Sequence, residues 1–401
     1  MKILLVLPVN SFPSDAGDSI HIYNLCKAWA SSGHSTHVVT LKSKQQKKVF
    51  EQKDGIFIHR LPFTFSIPPE RGLNFESLKN VIKIPLILMT SLLYSLGLML
   101  TNEFDLFFVR YRPPFSTISL LLNFLTRKQL IIKFAGTAVY SYLKLPLEKQ
   151  VFKLFIRRSS FLITDNSYML KVFNKMISHY KIKNIQPPVS LDLFSNLSEN
   201  RFCRSKKFTV LYVSSFRNDE EVTKFVLASS IVLRRFPDIS FIMVGDGAKK
   251  AATVRLCERL GVKNNFTFLG SVPHNLVPHL LVTSDLLVAL YSPKYKAIPL
   301  KILEYGASRK PIITTKNVAS IFENELDTFK GKDNFCVVDS DVRSIANGLV
   351  ALYEDEKLRN KIAKNMYNMT AENFSLDVIS NKYLGVFKEA LIIPSRASRK
   401  I

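Results

Sequence analysis

Acidic side chains are scarce in this chain of 401 residues: 32 Asp and Glu stand against 56 Lys and Arg, a formal charge of +24. Such an imbalance favours anionic partners. The basic residues form dispersed clusters, at 42–53, 157–158 and 201–207, with no tail-like run. No helix-turn-helix, zinc-finger or RNA-recognition signature accompanies them, so nucleic acid is not expected as a partner. An acidic membrane surface or a nucleotide-linked substrate is left. Cysteine is also sparse: four residues, Cys26, Cys203, Cys257 and Cys336, form no CxxC and no disulfide or zinc spacing. They read as reduced thiols of a cytosolic protein. His21, His34 and His37 make no metal-ligand arrangement, and at least two of the three read as structural. There is no signal-peptide pattern, since the apolar run Ile3 to Leu7 meets Pro8 at once. Long apolar runs are missing too, with one exception. Ile84 to Leu100 is uncharged but carries Pro85, Thr90, Ser91, Ser95 and Gly97, and sits at the lower length limit for a span. It reads as a buried or membrane-facing amphipathic helix.

What is present is alternation. Apolar, β-branched runs at 3–7, 37–41, 56–61, 106–110, 130–134 and 161–164 alternate with helical patterns. Gly17 ends the loop after the first strand and Ser19 is placed to cap the first helix, which stops at Gly33. The pattern breaks at Pro187-Pro188, passes through a polar, basic stretch from Ser195 to Lys207, and restarts at Phe208. Strands then follow at 208–213, 239–244, 266–269, 286–290, 312–315 and 335–338, and the end of the chain is helical. The expectation is an α/β protein of two Rossmann-like domains facing across a cleft. Their bounds are 1–195, with helices from about 376 to 401 packing back on it, and 196–375. A ligand of such folds binds at the carboxyl ends of the strands.

The stretch Tyr291 to Thr315 carries the chemistry. Ile298-Pro299-Leu300 opens a helix, and its unpaired N-terminal amides at Leu300 offer a phosphate site. Glu304 lies one turn further in, where its carboxylate can accept hydrogen bonds from sugar hydroxyls. Lys296 is a loop cation able to face a phosphate, whereas Lys301 reads as an outward, solvated side chain. Gly245 and Gly247 read as tight strand ends. Arg110 and Arg112, at the end of a strand, are candidates for an acceptor phosphate.

The ordered set of motifs resembles the GT-B glycosyltransferases of glycosyltransferase family 4 over nearly the whole chain. It comprises the first strand with its Gly17 loop, Ser32-Gly33-His34, FDLFFVR at 104–110, FIMVGDG at 241–247, FTFLG at 266–270, SDLL at 284–287 and PLKILEYGASRKPII at 299–313. The resemblance implies transfer of a sugar from a nucleotide-sugar to an acceptor held by the N-terminal domain, with retention of configuration, no required metal and no cofactor besides the donor itself. It implies donor binding by Glu304, Lys296, Leu300 and Gly17, with Arg217 and Lys224 standing in for displaced basic residues. An acidic position of the family falls on Lys296, a Gly-Arg pair on Ser214-Ser215, a lysine on Glu220 or Glu221, and an Asn-Gly on Pro187-Pro188. The N-domain histidine has no counterpart in Phe134-Ala135-Gly136-Thr137. The expected partners are a nucleotide-sugar, a lipid-linked or surface-glycan acceptor and an anionic membrane, with the protein cytoplasmic and peripheral. The alternative is a catalytically impaired protein of the same fold that binds a sugar nucleotide or scaffolds glycan assembly.

Overall fold

The computed structural model describes every residue except 11, 13–16, 43–47, 63–74, 113–114, 136–145, 177–180, 196, 198–206, 217–219, 328 and 394–401. The chain divides into two compact units, Met1–Pro188 with Leu376–Ile401, and Val189–Ser375. The division falls just after the Pro187-Pro188 pair, upstream of residue 195.

In the first unit, β1 (Lys2–Asn10), α1 (Gly17–Ser31), β2 (Ser35–Leu41), β3 (Phe50–Lys53), β4 (Ile56–Leu61) and α2 (Phe75–Thr101) come first. Then follow β5 (Leu106–Arg110), α3 (Thr117–Thr126), β6 (Gln129–Lys133), α4 (Pro146–Arg158), β7 (Phe161–Thr164), α5 (Ser167–Met176) and β8 (Ile182–Asn184). The sheet order is β3-β4-β2-β1-β5-β6-β7-β8. Only β3 runs antiparallel to its neighbour. The central strands bury both faces, as continuous apolar runs such as Ile3 to Leu7 require. Ser19 does not cap α1: the helix begins at Gly17 and Ser19 lies inside its first turn. Gly33 does end it, with φ of 79° after the last helical residue.

The second unit contains α6 (Asp192–Ser195), β9 (Thr209–Val213), α7 (Glu220–Leu233), β10 (Ser240–Val244), α8 (Lys250–Arg259), β11 (Phe266–Gly270), α9 (Val277–Thr283) and β12 (Leu286–Ala289). After these come α10 (Leu300–Ala307), β13 (Ile312–Thr315), α11 (Lys316–Glu325), α12 (Gly331–Asn334), β14 (Cys336–Val338), α13 (Val342–Glu354) and α14 (Glu356–Phe374). All six strands are parallel, in the order β11-β10-β9-β12-β13-β14. The order therefore reverses between β9 and β12, which opens a crevice at their carboxyl ends. The last helix, α15 (Leu376–Ile392), packs in the core of the first unit, where Trp29 meets Phe108, Tyr383 and Phe387 edge-on.

The described thiols are held in the protonated form by burial. Burial pushes Cys26 up, and raises Cys257 and Cys336 to about 11. Cys203 lies outside the described residues.

Candidate functional site

The crevice at the ends of β9 and β12 is built by α10. This helix sorts the residues of KILEYGA by direction. Ile302, Leu303 and Tyr305 go into the core, each contributing about 1.5–3 kcal/mol by leaving water. The Tyr305 hydroxyl reaches the sheet itself: the Val213 amide donates to it at 3.3 Å, and it donates to the Val288 carbonyl at 3.5 Å. One buried side chain thus ties α10 to β9 and β12 together, and burial pushes the Tyr305 hydroxyl up. Gly306 faces α14, where a Cβ would lie 2.2 Å from Thr370 Oγ1. That close approach is why a glycine follows the tyrosine.

The other two positions turn toward the crevice, and one of them corrects the sequence reading. Lys301 is half-buried and not a solvated outward side chain. Its Nζ donates to the Val213 carbonyl at 2.7 Å and lies 4.7 Å from the centre of the Tyr291 ring and 5.7 Å from that of Tyr212. A lysine held over two rings places its positive charge beside the end of β9. One turn on, Glu304 Oε1 lies 2.8 Å from His274 Nε2. Both side chains are partly exposed. His274 stands in the turn His274–Leu276 after β11, and sequence reasoning missed it. The signal available was Pro273-His274, just past the FTFLG strand. The missed signal for Lys301 was its three-residue spacing from Glu304, which puts both on one helix face.

The start of α10 is as expected of an anion site. Pro299 precedes the helix with extended dihedrals and no side chain caps it, and Leu300 is the first helical residue. Lys296 is exposed, with its Nζ on the Pro293 carbonyl at 3.2 Å. Lys224 sits on α7 and is committed elsewhere, 3.0 Å from the buried Glu221 carboxylate and 2.9 Å from Ser340 Oγ. Arg217 lies outside the described residues, as do Gly136 and Thr137.

Backbone packing shapes the floor of the crevice. Gly245 and Gly247 have φ of 120° and 154°. A Cβ at Gly245 would lie 1.7 Å from the Ser214 carbonyl oxygen, and one at Gly247 2.1 Å from that of Ser215. The Ser214-Ser215-Phe216 turn therefore lies directly on the Gly-Asp-Gly loop, and the Lys249 amide donates to Phe216 O at 2.8 Å. Asp246 extends from this loop, and its hydrogen bond to Lys250 holds its carboxyl below the usual range.

In the first unit, Gly17 is the first residue of α1. Arg110 ends β5 and Arg112 follows it, both half-buried and neither free of interaction. Lys133, not anticipated from the sequence, ends the adjacent β6. It is buried, with its Nζ 5.3 Å from the centre of the Tyr383 ring. No cluster of His, Cys, Asp and Glu able to hold a metal exists among the described residues.

Two mostly parallel sheets with helices, arranged in this order, define the GT-B fold. Residues 195–369 match the family Glycosyl transferases group 1. An alpha-D-kanosaminyltransferase of Streptomyces kanamyceticus is 24% identical over 182 residues, a stretch that spans 45% of this chain and 45% of that enzyme. Among solved structures, a glycosyltransferase of Rickettsia africae superimposes with a TM-score of 0.72 at 17% identity, covering 98% of this chain and 99% of its own. HepE of Anabaena, in complex with UDP and glucose, gives 0.67 at 18% identity, with 97% and 100% covered.

Proposed function

We propose that the protein is a retaining glycosyltransferase that moves a sugar from a nucleotide-sugar to a lipid-linked or surface-polysaccharide acceptor at the cytoplasmic face of a membrane. The observation that carries the reading is the crevice at the strand reversal, where Lys301, Glu304 and the uncapped start of α10 converge. The donor diphosphate sits against the Leu300 amide end of α10, with Lys301 beside it and Lys296 and Arg217 as further cations. Negative charge develops on the diphosphate as the sugar leaves, and donors fixed beforehand stabilise that charge without a metal ion. Glu304 accepts hydrogen bonds from the ribose, with His274 orienting its carboxylate. Gly17 serves the donor side, and Arg110 and Arg112 the acceptor phosphate.

A protein that binds the donor without transferring the sugar is the second reading. It is favoured by Lys224, which is tied to Glu221 and Ser340 instead of standing free for phosphate.

Isothermal titration with UDP-glucose tests the site. A charged hydrogen bond removed there costs about 1.5–3 kcal/mol, or roughly tenfold to a hundredfold in affinity. Glu304→Ala and Lys301→Ala are each expected to lose that much, and Lys296→Glu less. Wild-type affinity in Glu304→Ala and Lys301→Ala together would leave α10 a purely structural helix. Release of UDP on addition of membrane extract separates transfer from binding alone.

A further inference from the structure

The helix α2 packs Ile84, Leu88, Leu92 and Leu96 partly against the core, yet also turns large apolar side chains outward while it buries serines. Its buried stripe runs through Ile87, Ser91 and Ser95, and the two serine hydroxyls find no hydrogen-bond partner. Its outer stripe, at helical spacing, is Leu86, Met89, Leu93, Gly97 and Leu100, with Met89 55%, Leu93 60% and Leu100 90% exposed. A helix bordering water places serines outward and leucines inward. The neighbouring helix extends the same surface: α3 exposes Leu121, Phe124 and Leu125, and α4 adds Leu154. Single exposed leucines are ordinary, but a contiguous face of them marks a partner.

Charge identifies that partner. The segments 84–101, 117–128 and 149–158 contain no Asp or Glu. They do carry Arg127, Lys128, Lys149, Lys153, Arg157 and Arg158. The Arg158 guanidinium lies 3.6 Å from the centre of the Phe124 ring, so the cations border the apolar surface directly. The acidic residues of these helices stand only in their first turns, at Glu76 and Glu148, with Glu103 and Asp105 just past the end of α2. A second copy of the chain would bring the same six cations against the first copy's six, with few groups of opposite sign to meet them. An anionic bilayer supplies both an apolar interior and negative headgroups.

We infer that the surface formed by α2, α3 and α4 is a docking face for an anionic lipid bilayer. α2 lies in the interface along its length, with Leu93 and Leu125 immersed below the headgroups. Residues Ile84–Thr101 are long and apolar enough to cross a membrane. A crossing helix would show every side to lipid, whereas Ile87, Ser91 and Ser95 are fully buried in the protein. This docking face deepens the reading of a membrane-borne acceptor and rests on it for its purpose.

Sedimentation of the full chain with phosphatidylcholine vesicles, with and without phosphatidylglycerol, tests the face. Wild type is expected to bind only the anionic vesicles and to be released by salt. Leu93→Glu/Leu125→Glu and Lys153→Glu/Arg157→Glu each lower the bound fraction at least tenfold, and Ile231→Glu, an exposed apolar position on α7, leaves it unchanged. Trp29 is the only native tryptophan and is fully buried. Leu93→Trp therefore reports immersion by a blue shift of its emission on vesicle addition. Undiminished vesicle binding by Leu93→Glu/Leu125→Glu overturns the proposal. So does a wild-type dimer that ignores vesicles and becomes monomeric in the same variant. UDP titration of every variant keeps the two readings apart. Lost vesicle binding with intact UDP affinity supports the docking face, and vesicle binding by a wild type that takes no UDP removes the transferase reading alone.

Discussion

Helices α2 and α10 each bridge two parallel strands of one sheet, and they obey opposite rules. In α10 the large apolar residues Ile302, Leu303 and Tyr305 go in, and the charged Lys301 and Glu304 turn toward the crevice. In α2 the small polar residues Ser91 and Ser95 go in beside Ile87, while the large apolar Met89, Leu93 and Leu100 go out. The polar anchors differ as well. Tyr305 is pinned to backbone groups of β9 and β12, whereas Tyr94 of α2 meets a pair of histidines: its hydroxyl lies 3.2 Å from His59 Nδ1, and His59 Nε2 lies 3.2 Å from His37 Nδ1. Side-chain sorting thus records the medium each helix faces, and the anchor records what can loosen it.

The comparison breaks most severely at the crevice floor. Gly245→Val forces a Cβ into the Ser214 carbonyl at a φ that side chains avoid, with no flexible group to yield. The expected loss is about 4 kcal/mol or more, seen as unfolding of the second unit in urea while the Trp29 signal of the first unit persists.

Acid acts on the other anchor. Burial lowers both His37 and His59 from 6.5 to about 4. The unfolded chain takes up these protons at the ordinary value, so the folded form is favoured fully above pH 6.5 and loses that advantage as pH falls toward 4. The loss is on the order of 3 kcal/mol for each histidine. Trp29 fluorescence should show the first unit weakening over this window, and His37→Phe/His59→Phe should flatten the acid limb.

The smallest effects sharpen the sorting itself. Ser95→Leu overpacks the buried side of α2 and is expected to cost about 1–3 kcal/mol. Leu93→Ser, on the outer side, should change stability by less than about 0.5 kcal/mol in the absence of lipid. Equal costs in urea titration would mean that the two faces of α2 are not distinct.

Much of the architecture was readable because buried parallel strands are continuous apolar runs, and twelve of the fourteen described strands fall on runs read from the sequence. The two missed strands lack that signature. β3, FEQK, is mostly exposed at a sheet edge, and β8 is the three-residue IKN. In the site, Glu304 and the start of α10 follow from local spacing. Lys301 and His274 do not, because what defines them comes from far along the chain: Lys301 is held by a carbonyl 88 residues away, and His274 meets Glu304 across 30. The outward leucines of α2 were half legible, since composition marks an apolar helix but not which side the serines take.

The interleaving of the two units orders events at the ribosome. The core around Trp29 and Phe108 needs Tyr383 and Phe387 of α15, which are synthesised after the whole of the second unit. At about 5–20 residues per second, the residues near Phe108 wait on the order of a quarter of a minute to a minute for them. The second unit closes on itself within that interval, since the Val189 amide donates to the Phe374 carbonyl at 2.8 Å and both ends are already made. During the wait, the strands that will pack against α15 stay uncovered while the apolar surface of α2 has already emerged. Newborn chains are therefore at their most adhesive between translation of α2 and of α15, and a bilayer or a chaperone that covers that surface would act before the molecule is complete.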